Sequence, residues 1–339
     1  MAGNSAHDII TLGHGSGGRL TSDLVRDIFL PHLSNPRLDV MGDAAWLPRV
    51  EGRLAMTTDG FVVSPRVFPG GDIGCLAVYG TVNDLAVGGA QPLALSASFI
   101  LEDGLPIDEL RRHAESMGNA ARHCGVEVVT GDTKVVQRGH GDGLYIVTAG
   151  VGRLRDQPPT GAASLLSGDE VVVSGPIGDH GAVIAAIRNG MDPGLLKSDC
   201  GPVLPLVDAL YSRGIMPRFL RDPTRGGLAT VLSELAKEAG VTVELREADL
   251  PVRDEVRGVC DLLGLDPLFL ACEGRMVAIV PAGQGSAAVA AMTGCPEGSG
   301  ARIVGRIVAR ESGPVVMVTL YGGRRLYDTP ASEPLPRIC

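Results

Sequence analysis

A proline-rich segment near the middle of the chain divides the sequence into two parts, each long enough to build its own hydrophobic core. The segment Asp156–Gly161 contains two adjacent prolines, Pro158 and Pro159, and follows a predicted strand over residues 145–152. Adjacent prolines cannot continue a helix or a central strand, so regular structure is expected to stop there. Since one core stops growing at about 250–300 residues, a chain of 339 residues is expected to form two domains that meet at this linker.

The charge and the cysteine content of the chain exclude several classes of protein. A formal net charge of -9 and a pI near 5.3 argue against a nucleic-acid-binding surface, which needs clustered lysine and arginine. The seven cysteines contain no C-x-x-C pair, which is typical of reduced cytosolic thiols and gives no zinc signature. Neither a signal peptide nor a membrane-spanning apolar run is recognised, so a soluble cytoplasmic protein is expected.

Several polar residues in the first half are candidates for a nucleotide and metal site. The glycine-rich segment His14–Gly18 precedes a predicted amphipathic helix, with Thr21 or Ser22 as its N-cap, that is expected to end before Pro31. A glycine-rich loop at a helix N-terminus can bind an anion, although a flexible loop explains the segment equally well. The segment has no Gly-Lys-Ser or Gly-Lys-Thr, so it is not a Walker loop.

Acidic residues follow several of the apolar runs. Asp43 and Asp59 each follow such a run, and Asp59 lies just past a predicted strand, where a carboxylate can hold a metal ion or simply belong to a turn. Asn83 and Asp84 interrupt an apolar helix, which favours a ligand-facing side over an exposed helix face. A strand over 126–130 then leads into Gly131, Asp132 and Lys134, and this combination is either a phosphate and metal site or an exposed ion pair.

In the second half the segment Arg221–Gly227 combines two arginines, Asp222 and two glycines ahead of a predicted helix, which suits a phosphate together with Mg²⁺. Glu273 precedes a strand and is either a cap or a buried general base. His180 is interpreted as a capping or core histidine rather than a ligand contact. The segment Arg221–Gly227 is therefore the strongest candidate for a phosphate site in the second half.

The chain finishes on a thiol at the end of a proline-rich tail. Pro330, Pro334 and Pro336 favour an extended backbone of roughly 3.1 Å per residue, long enough to cross a surface by roughly 30 Å. A frayed terminus with an accidental cysteine is the alternative. We interpret Cys339 as a residue that carries the substrate.

Seven motifs spread over nearly the whole chain support one family resemblance. They are His14-Gly15-Ser16-Gly17-Gly18, Phe68-Pro69-Gly70-Gly71-Asp72-Ile73-Gly74, Gly80-Thr81-Val82-Asn83-Asp84-Leu85-Ala86, Gly131-Asp132-Thr133-Lys134-Val135-Val136, Arg221-Asp222-Pro223-Thr224-Arg225-Gly226-Gly227, Glu273-Gly274 and Pro336-Arg337-Ile338-Cys339. With these motifs the chain resembles the HypE family of hydrogenase maturation factors, which belongs to the PurM-like ATP-using superfamily. One departure is Gly60, which stands where the family is expected to have a serine after Thr57-Thr58-Asp59, so the role of this position stays open.

The resemblance implies an α/β fold with two PurM-like domains and a homodimer. Residues 1–155 would form the ATP-binding and dimerisation domain with a mixed sheet at the dimer interface, residues 164–310 the C-terminal domain, and residues 311–339 a final segment with a flexible tail. In such proteins the partner HypF places a carbamoyl group on the terminal cysteine. The S-carboxamide is then dehydrated with ATP to a thiocyanate, and the cyano group passes to iron of the [NiFe] site on the HypC-HypD complex.

The same resemblance and the chemistry of dehydration assign roles to individual residues. Cys339 would carry the carboxamide, Glu273 would act as the base, and Lys134 would stabilise charge near the carbamoyl group or the γ-phosphate. Mg²⁺ is expected to neutralise the triphosphate, and its candidate ligands are Asp43, Asp59, Asp84, Asp132 and Asp222. The nucleotide is expected to contact these five residues together with Asn83, Thr130, Gly131, Thr224, Arg225, Gly226 and Gly227.

The sequence leaves two alternative functions open. Another PurM-like enzyme, such as a selenophosphate synthetase or a thiamine-phosphate kinase, would share the glycine-rich and aspartate-rich ATP site but would not need a terminal cysteine. A scaffold for metal-centre assembly, switched by nucleotide, would keep Cys339 but would not need a catalytic base.

Overall fold

The structure, a computed structural model, describes residues 9–330, 335 and 337–339. The prolines at 334 and 336, on which the prediction of an extended tail partly depends, lie outside the described residues. In the described part of the chain no helix is long and apolar enough to cross a membrane.

Residues 54–154 contribute a four-stranded sheet and a short two-stranded ribbon. The strands are β1 (Leu54–Phe61), β2 (Val67–Phe68), β3 (Gly71–Asp72), β4 (Ala90–Glu102), β5 (Val128–Val136) and β6 (Leu144–Leu154). The helices of this half are α1 (Arg19–Leu24), α2 (Leu30–Leu33), α3 (Ile73–Val87) and α4 (Ile107–Cys124).

The second half contributes a seven-stranded sheet and five further helices. The strands are β7 (Glu170–Val173), β8 (Phe219–Arg221), β9 (Thr242–Arg246), β10 (Val277–Val280), β11 (Arg302–Val308), β12 (Val315–Val318) and β13 (Arg324–Tyr327). The helices are α5 (Asp179–Arg188), α6 (Leu204–Ser212), α7 (Gly227–Ala239), α8 (Asp254–Leu263) and α9 (Gly285–Met292).

The first sheet is mixed, as expected from the resemblance. Its strand order is β1-β6-β4-β5, with β4 and β5 parallel and the other pairs antiparallel. Helix α3 packs against β1, β4 and β6 on one face, and α4 packs against α3. The apolar stripe of α4, with Leu110, Ala114 and Met117 fully buried, follows the steps of three and four residues that predicted this helix. Gly125, at φ 64°, ends it as predicted.

The other face of the first sheet, hereafter the open face, exposes apolar side chains in the part of the chain that the structure describes. Leu54 and Met56 of β1 are 59% and 73% exposed, and Val147 of β6 is 38% exposed. Because side chains alternate along a strand, Thr57 and Asp59 project to the opposite side, toward α3. The strand β1 therefore presents an apolar surface on one face and the candidate site on the other.

The second sheet is covered by helices on both faces. Its order is β13-β12-β9-β11-β7-β10-β8, in which only β9 and β12 are parallel. Val171 and Val173 pack with α7, whereas Val172 packs into the core that includes α5 and α9. Because helices cover both faces of the sheet, these residues of β7 form a continuous apolar run rather than an alternating pattern. Helix α6 packs on α3 and connects the two halves.

Two strands extend further than the sequence predicts. β5 continues to Val136 because β4 offers it a parallel partner along this whole length, with Ser98 paired to Asp132 and Ile100 paired to Lys134. β1 likewise continues to Phe61 along β6. Asp59, Asp132 and Lys134 thus lie within strands rather than at strand ends, and the prediction of strand-end positions was wrong.

The N-terminal helical region also differs from its prediction. Its N-cap is Gly18 rather than Thr21 or Ser22, because the Thr21 hydroxyl accepts a hydrogen bond from Gly17 N (3.0 Å) and donates one to His14 O (2.9 Å). The region continues past Pro31, because a π-helical turn precedes α2 and places the proline in its first turn, where its missing N–H is tolerated.

Candidate active site

Four acidic side chains drawn from both halves of the chain lie within electrostatic reach of one another. They are Asp59, Asp84, Asp222 and Glu273, hereafter the acid cluster. Besides burial, which is the largest cause, the negative charges of Asp84 and Asp59 raise the pKa of Asp222, and those of Asp222, Asp199 and Asp59 raise the pKa of Glu273. The structure therefore brings together three of the five predicted metal ligands and the predicted base.

The N-terminal members of the acid cluster are held by the contact between β1 and α3. The Thr57 hydroxyl donates a hydrogen bond to Asp84 Oδ2 (2.9 Å), which fixes the carboxylate on the last turn of the helix. A Cβ at Gly80 would lie 2.9 Å from the Phe61 ring, so a glycine at this position lets α3 approach β1 closely. This approach places Asp59 beside Asp84.

The C-terminal members are held at one end of the second sheet. Asp222 directly follows β8, and Glu273 lies just before β10, whose first residue Val277 pairs with Arg221. The next residue, Gly274, cannot carry a side chain, since a Cβ there would lie 1.9 Å from the carbonyl oxygen of Asp199. This close contact requires glycine at position 274, and it places the loop 199–201 directly against Glu273, the candidate base.

Burial raises the pKa of the carboxyl groups in the acid cluster, because it disfavours their charged form. Desolvation is the largest cause of the raised pKa at all four members, and it brings the pKa of Asp222 to about 7. The pKa of Glu273 lies well above its ordinary value, and this carboxyl is 2% exposed. In the protein alone, part of the cluster is therefore protonated at neutral pH, and added positive charge would ionise it.

One oxygen of the buried Glu273 carboxyl has no hydrogen-bond partner among the residues that the structure describes. This atom, Oε1, is itself buried, although buried carboxyl oxygens are normally paired. The backbone of this residue is well held, since Glu273 N donates to Asp199 Oδ1 (3.1 Å) and its carbonyl oxygen accepts from Asn83 Nδ2 (3.4 Å). A fixed backbone with an unpaired carboxyl is suited to a ligand or a reacting group.

Positive charge and a glycine turn lie next to the acid cluster. Arg225 lowers the pKa of Asp59, Asp84 and Glu273, and Arg221 lowers that of Asp84 and Asp222. Gly226 and Gly227, with φ 72° and 60°, turn the chain into α7 in a conformation that favours glycine. Thr224 is half-buried in the same turn. The predicted segment Arg221–Gly227 thus adjoins the cluster.

Asn83 connects the two halves beside this site. The buried side chain donates from Nδ2 to Gly201 O (3.0 Å) and accepts from Val203 N at Oδ1 (2.8 Å). Its amide is therefore occupied with the second half of the chain. Asn83 was predicted to contact nucleotide, and the structure gives it the role of joining α3 to the loop before α6.

The residues predicted on β5 form a separate group. Thr130, Gly131, Asp132 and Lys134 lie on the sheet strand farthest from β1, and Lys134 Nζ donates to Asp132 Oδ1 (2.7 Å), which lowers the pKa of that aspartate. Thr130, Gly131 and Asp132 also line a cavity of about 190 Å³. The remaining walls of this cavity are mostly apolar and include Phe29, Leu33 and Phe99.

Asp43 belongs to neither group. It is exposed in the irregular segment that precedes β1. Within one chain the structure does not bring Asp43 or Asp132 into the acid cluster, so the five predicted metal ligands do not form a single set here.

The acid cluster fits a metal ion only in part. Carboxylates are the ligands that Mg²⁺ prefers, and the unpaired Glu273 oxygen marks a place for a cation or a proton. Among the described residues, however, no three acidic, histidine or cysteine side chains converge closely enough to hold an ion by themselves. Mg²⁺ is usually bound by one or two carboxylates plus phosphate oxygens, so this donor set suits an ion that arrives with a nucleotide.

The end of the chain is docked beside the end of β1. Backbone residues 337–339 run along residues 62–64, with Val62 N donating to Cys339 O (2.9 Å) and Ser64 N donating to Arg337 O (3.4 Å). Ile338 is 1% exposed and packs into the core. Val62 is three residues beyond Asp59, roughly 10 Å along an extended strand. The docked tail thus brings Cys339 next to the strand that carries one member of the acid cluster.

His180 is the main side-chain anchor of the docked tail. It is fully buried, and its Nε2 lies 2.7 Å from Ile338 O while its Nδ1 lies 2.8 Å from Ser198 Oγ. A carbonyl oxygen can only accept, so Nε2 carries the proton and donates it to the tail. Burial lowers the pKa of His180 and keeps the ring neutral. Arg188 adds a guanidinium that donates to Ser64 O (2.6 Å) and to Arg337 O.

The interpretation of His180 as a capping or core residue was thus incomplete. The residue is buried as a core histidine would be, yet one of its nitrogens recognises the chain terminus, 158 residues away. A glycine-flanked histidine at the start of a helix was the available signal. The roles of Ser198 and Arg188 gave no signal in the sequence, because their partners are distant backbone atoms.

Comparison with known protein families matches both halves of the chain. The model of AIR synthase related protein, N-terminal domain, matches residues 41–154, and the model of AIR synthase related protein, C-terminal domain, matches residues 167–318. The expected two-part PurM-like α/β fold is thereby confirmed.

Individual relatives are similar over nearly their whole length. The carbamoyl dehydratase HypE of Azotobacter vinelandii is 46% identical over 331 residues, which cover 97% of each chain. A crystal structure of the hydrogenase maturation protein HypE in complex with ATP superposes with a TM-score of 0.93 at 44% identity, covering 97% of this chain and 99% of that one. A crystal structure of a HypE-HypF complex matches with a TM-score of 0.79 at 39% identity, over 91% and 99% of the two chains.

Proposed function

Since the chain belongs to the HypE family of carbamoyl dehydratases, we propose that it uses ATP to dehydrate an S-carboxamide on Cys339 to a thiocyanate in hydrogenase maturation. The observation that carries this proposal is the docked tail, whose last residue is bonded to Val62 beside the strand of Asp59. Neither a selenophosphate synthetase nor a thiamine-phosphate kinase would require this arrangement. Curated relatives named HypE cover 97% of the chain.

The dehydration removes one oxygen and two protons from the carboxamide. The amide oxygen is a poor leaving group until it receives the γ-phosphoryl group of ATP, after which it departs as phosphate. Loss of both protons from nitrogen then leaves a carbon-nitrogen triple bond on the sulfur. Water must be kept away, because the activated carboxamide would otherwise hydrolyse. The burial of Ile338 next to Cys339 supports this exclusion.

Glu273 is proposed as the group that accepts a proton from the carboxamide nitrogen. Its buried Oε1 has no hydrogen-bond partner among the described residues, so it can receive that proton directly. Its raised pKa makes it a strong acceptor once ionised. Positive charge from Arg225 already lowers this pKa, and more positive charge beside the cluster would favour the ionised form.

ATP and Mg²⁺ are proposed to bind where the acid cluster meets Arg221–Gly227. The two arginines supply charge for phosphate oxygens, and the turn at Gly226 and Gly227 leaves the first amides of α7 for further contacts. Asp59, Asp84 and Asp222 would hold Mg²⁺, which would neutralise the phosphates. The relative whose structure contains ATP supports the nucleotide.

A homodimer is proposed to complete the site. Lys134 and Asp132 lie on the open face of the first sheet, since they pair in register with Ile100 and Ser98. The same face exposes Met56 and Val147, an apolar surface suited to a second copy of the sheet. We propose that this face pairs two chains and that Lys134, Thr130, Gly131 and Asp132 contribute to the site in that assembly, with Asp43 approaching from its exposed segment.

The remaining partners follow from the chemistry of the tail. Cys339 must leave its docked position to receive a carbamoyl group from HypF and to deliver the cyano group to HypC-HypD. A relative forms a complex with HypF, which supports the first of these partners. Departure breaks the hydrogen bonds that hold residues 337–339 and the ion pair between Arg337 and Asp142, and it exposes Ile338. We propose that binding of a partner protein offsets this cost.

The proposed domain division places the boundary at the linker. Residues 1–155 hold the first sheet and 164–310 most of the second, while the final segment 311–339 adds β12, β13 and the tail. The first sheet ends at Leu154 and the second begins at Glu170, which supports a boundary between them.

Mapping of the modification tests the proposed function. The protein is incubated with a carbamoyl donor, HypF, ATP and Mg²⁺, and its peptides are analysed by mass spectrometry. The carboxamide and then the thiocyanate should occur on Cys339 and nowhere else, and Cys339→Ala should bind ATP normally and stay unmodified. If the parent protein binds ATP and its partners but Cys339 never changes mass, the enzyme proposal is wrong and the nucleotide-switched scaffold replaces it.

A further inference from the structure

Two thiols that belong to opposite halves of the chain meet near the docked tail. Cys75 lies on the first turn of α3, and Cys200 lies on the loop before α6, with their Sγ atoms 3.8 Å apart. We propose that Cys75 and Cys200 are a redox modification site, which hydrogen peroxide oxidises to a disulfide that lowers dehydratase activity. The proposal of a lowered activity depends on the proposed function, whereas the disulfide itself does not.

Cys75 is suited to react first. This half-buried residue lines an open cleft of about 440 Å³, together with Ser116 and His123, and the cleft gives a small oxidant a route to its side chain. At the start of the helix the Asp72 amide donates to Sγ (3.2 Å), which favours a thiolate, while Sγ as a thiol can donate to Asp72 O (3.2 Å). The pKa of Cys75 is lowered, mainly by the hydrogen bond from Cys200.

Cys200 is suited to complete the disulfide. It is held as a neutral thiol, because the neighbouring Cys75 sulfur and burial raise its pKa well above the ordinary value. In the first step the Cys75 thiolate attacks one peroxide oxygen, which gives a sulfenic acid and releases hydroxide. The Cys200 sulfur then displaces the sulfenic oxygen and loses its proton. Two thiols are oxidised, the peroxide is reduced, and two molecules of water leave.

Formation of the bond would displace a loop that supports the active site. The sulfurs must approach from 3.8 Å to about 2.05 Å, the length of a disulfide bond. On the same loop, Ser198 bonds the tail anchor His180, and Asp199 bonds the backbone of Glu273. Movement of Cys200 toward α3 therefore pulls on both the tail dock and the base.

Peptide mapping after mild peroxide treatment tests the site itself. The folded full-length protein is oxidised, free thiols are blocked with N-ethylmaleimide, and digests are analysed without reductant. We expect a peptide that links Cys75 to Cys200, while Cys124, whose raised pKa disfavours the thiolate, remains blocked as a free thiol. Absence of the linked peptide at peroxide levels that already oxidise Cys124 would overturn the proposal.

Activity measured on the same samples tests the consequence. Oxidised parent protein should convert the Cys339 carboxamide at least several-fold more slowly than reduced protein, and dithiothreitol should restore the rate. Cys75→Ser should dehydrate the carboxamide at the rate of the reduced parent protein, both before and after peroxide treatment. Equal rates of the linked and reduced parent protein would refute the regulatory effect. If no sample dehydrates the carboxamide, the proposed function fails, yet the mapping still decides whether the disulfide forms.

Discussion

Replacing Asp222 by asparagine is expected to stabilise the ligand-free protein while it weakens the binding of Mg-ATP. The pKa of this buried carboxyl is raised from 3.8 to about 7, first by desolvation and then by Asp84. Each pKa unit corresponds to about 1.4 kcal/mol, so the full shift corresponds to about 4 kcal/mol at neutral pH. Asparagine keeps the shape but also needs buried partners, and we expect a net gain of about 2 kcal/mol.

The pH dependence identifies the cause of this gain. Below pH 4 the Asp222 carboxyl is protonated in both the folded and the unfolded chain, so only the cost of burying the asparagine amide remains, and the variant should be less stable than the parent by about 2 kcal/mol. Between pH 4 and 7 only the unfolded chain ionises, so the parent loses stability relative to the variant as the pH rises. Above pH 7 the difference should stay constant. A gain that appears between pH 4 and 7 therefore belongs to the buried charge.

Thermal unfolding at a series of pH values, with calorimetry of Mg-ATP binding at pH 7.5, measures both effects. Asp156→Asn is the matched control, because Asp156 is an exposed aspartate of the linker, and its stability difference should be small at every pH. If Asp222→Asn is no more stable than the parent at pH 7.5, the conclusion that the buried Asp222 carboxylate destabilises the folded protein is wrong. Unchanged affinity for Mg-ATP would remove Asp222 from the nucleotide site.

Three further predictions concern the tail and the open face. His180→Ala removes the donor to Ile338 O, so Cys339 should be alkylated several-fold faster than in the parent. Ser198→Ala keeps that donor and should change the alkylation rate less. Equal alkylation rates in all three proteins would contradict the anchoring role of His180. Met56→Glu places a charge on the exposed apolar face, and sedimentation should show monomers where the parent is dimeric, while a dimer of unchanged stability would locate the interface elsewhere. Lys134→Met should slow dehydration with the parental affinity for ATP, and a parental rate would exclude Lys134 from the chemistry.

The sequence predicted those parts of the fold and of the candidate site that local patterns determine. The helix from Pro106 to Gly125 followed from its apolar spacing and its glycine stop, and both were confirmed. The segment Arg221–Gly227 was recognisable because it combines two arginines and an aspartate with two glycines directly before a helix. The position of this segment beside Asp59 and Asp84 could not be predicted from the spacing of residues along the sequence, because it depends on how α3 packs against β1 and α6.

The parts that the sequence did not predict depend on partners far away along the chain. β5 was expected to end before Asp132, yet β4 supplies a long parallel partner, and pairing overrides the weak strand preference of glycine and aspartate. The tail was expected to reach across a surface, and its anchors are a buried histidine and backbone groups of residues 62–64. No local pattern encodes a contact between a terminus and a distant strand.

The most direct test of the account follows the mass of the carbamoylated protein over time. With ATP and Mg²⁺ present, the parent should become lighter by one water on Cys339 as the carboxamide turns into the thiocyanate. Glu273→Gln keeps the shape of the side chain but not the base, so it should bind ATP and lose water more slowly by roughly 10² to 10⁴. Loss of water at the parental rate by Glu273→Gln would contradict the central claim that the acid cluster supplies the base.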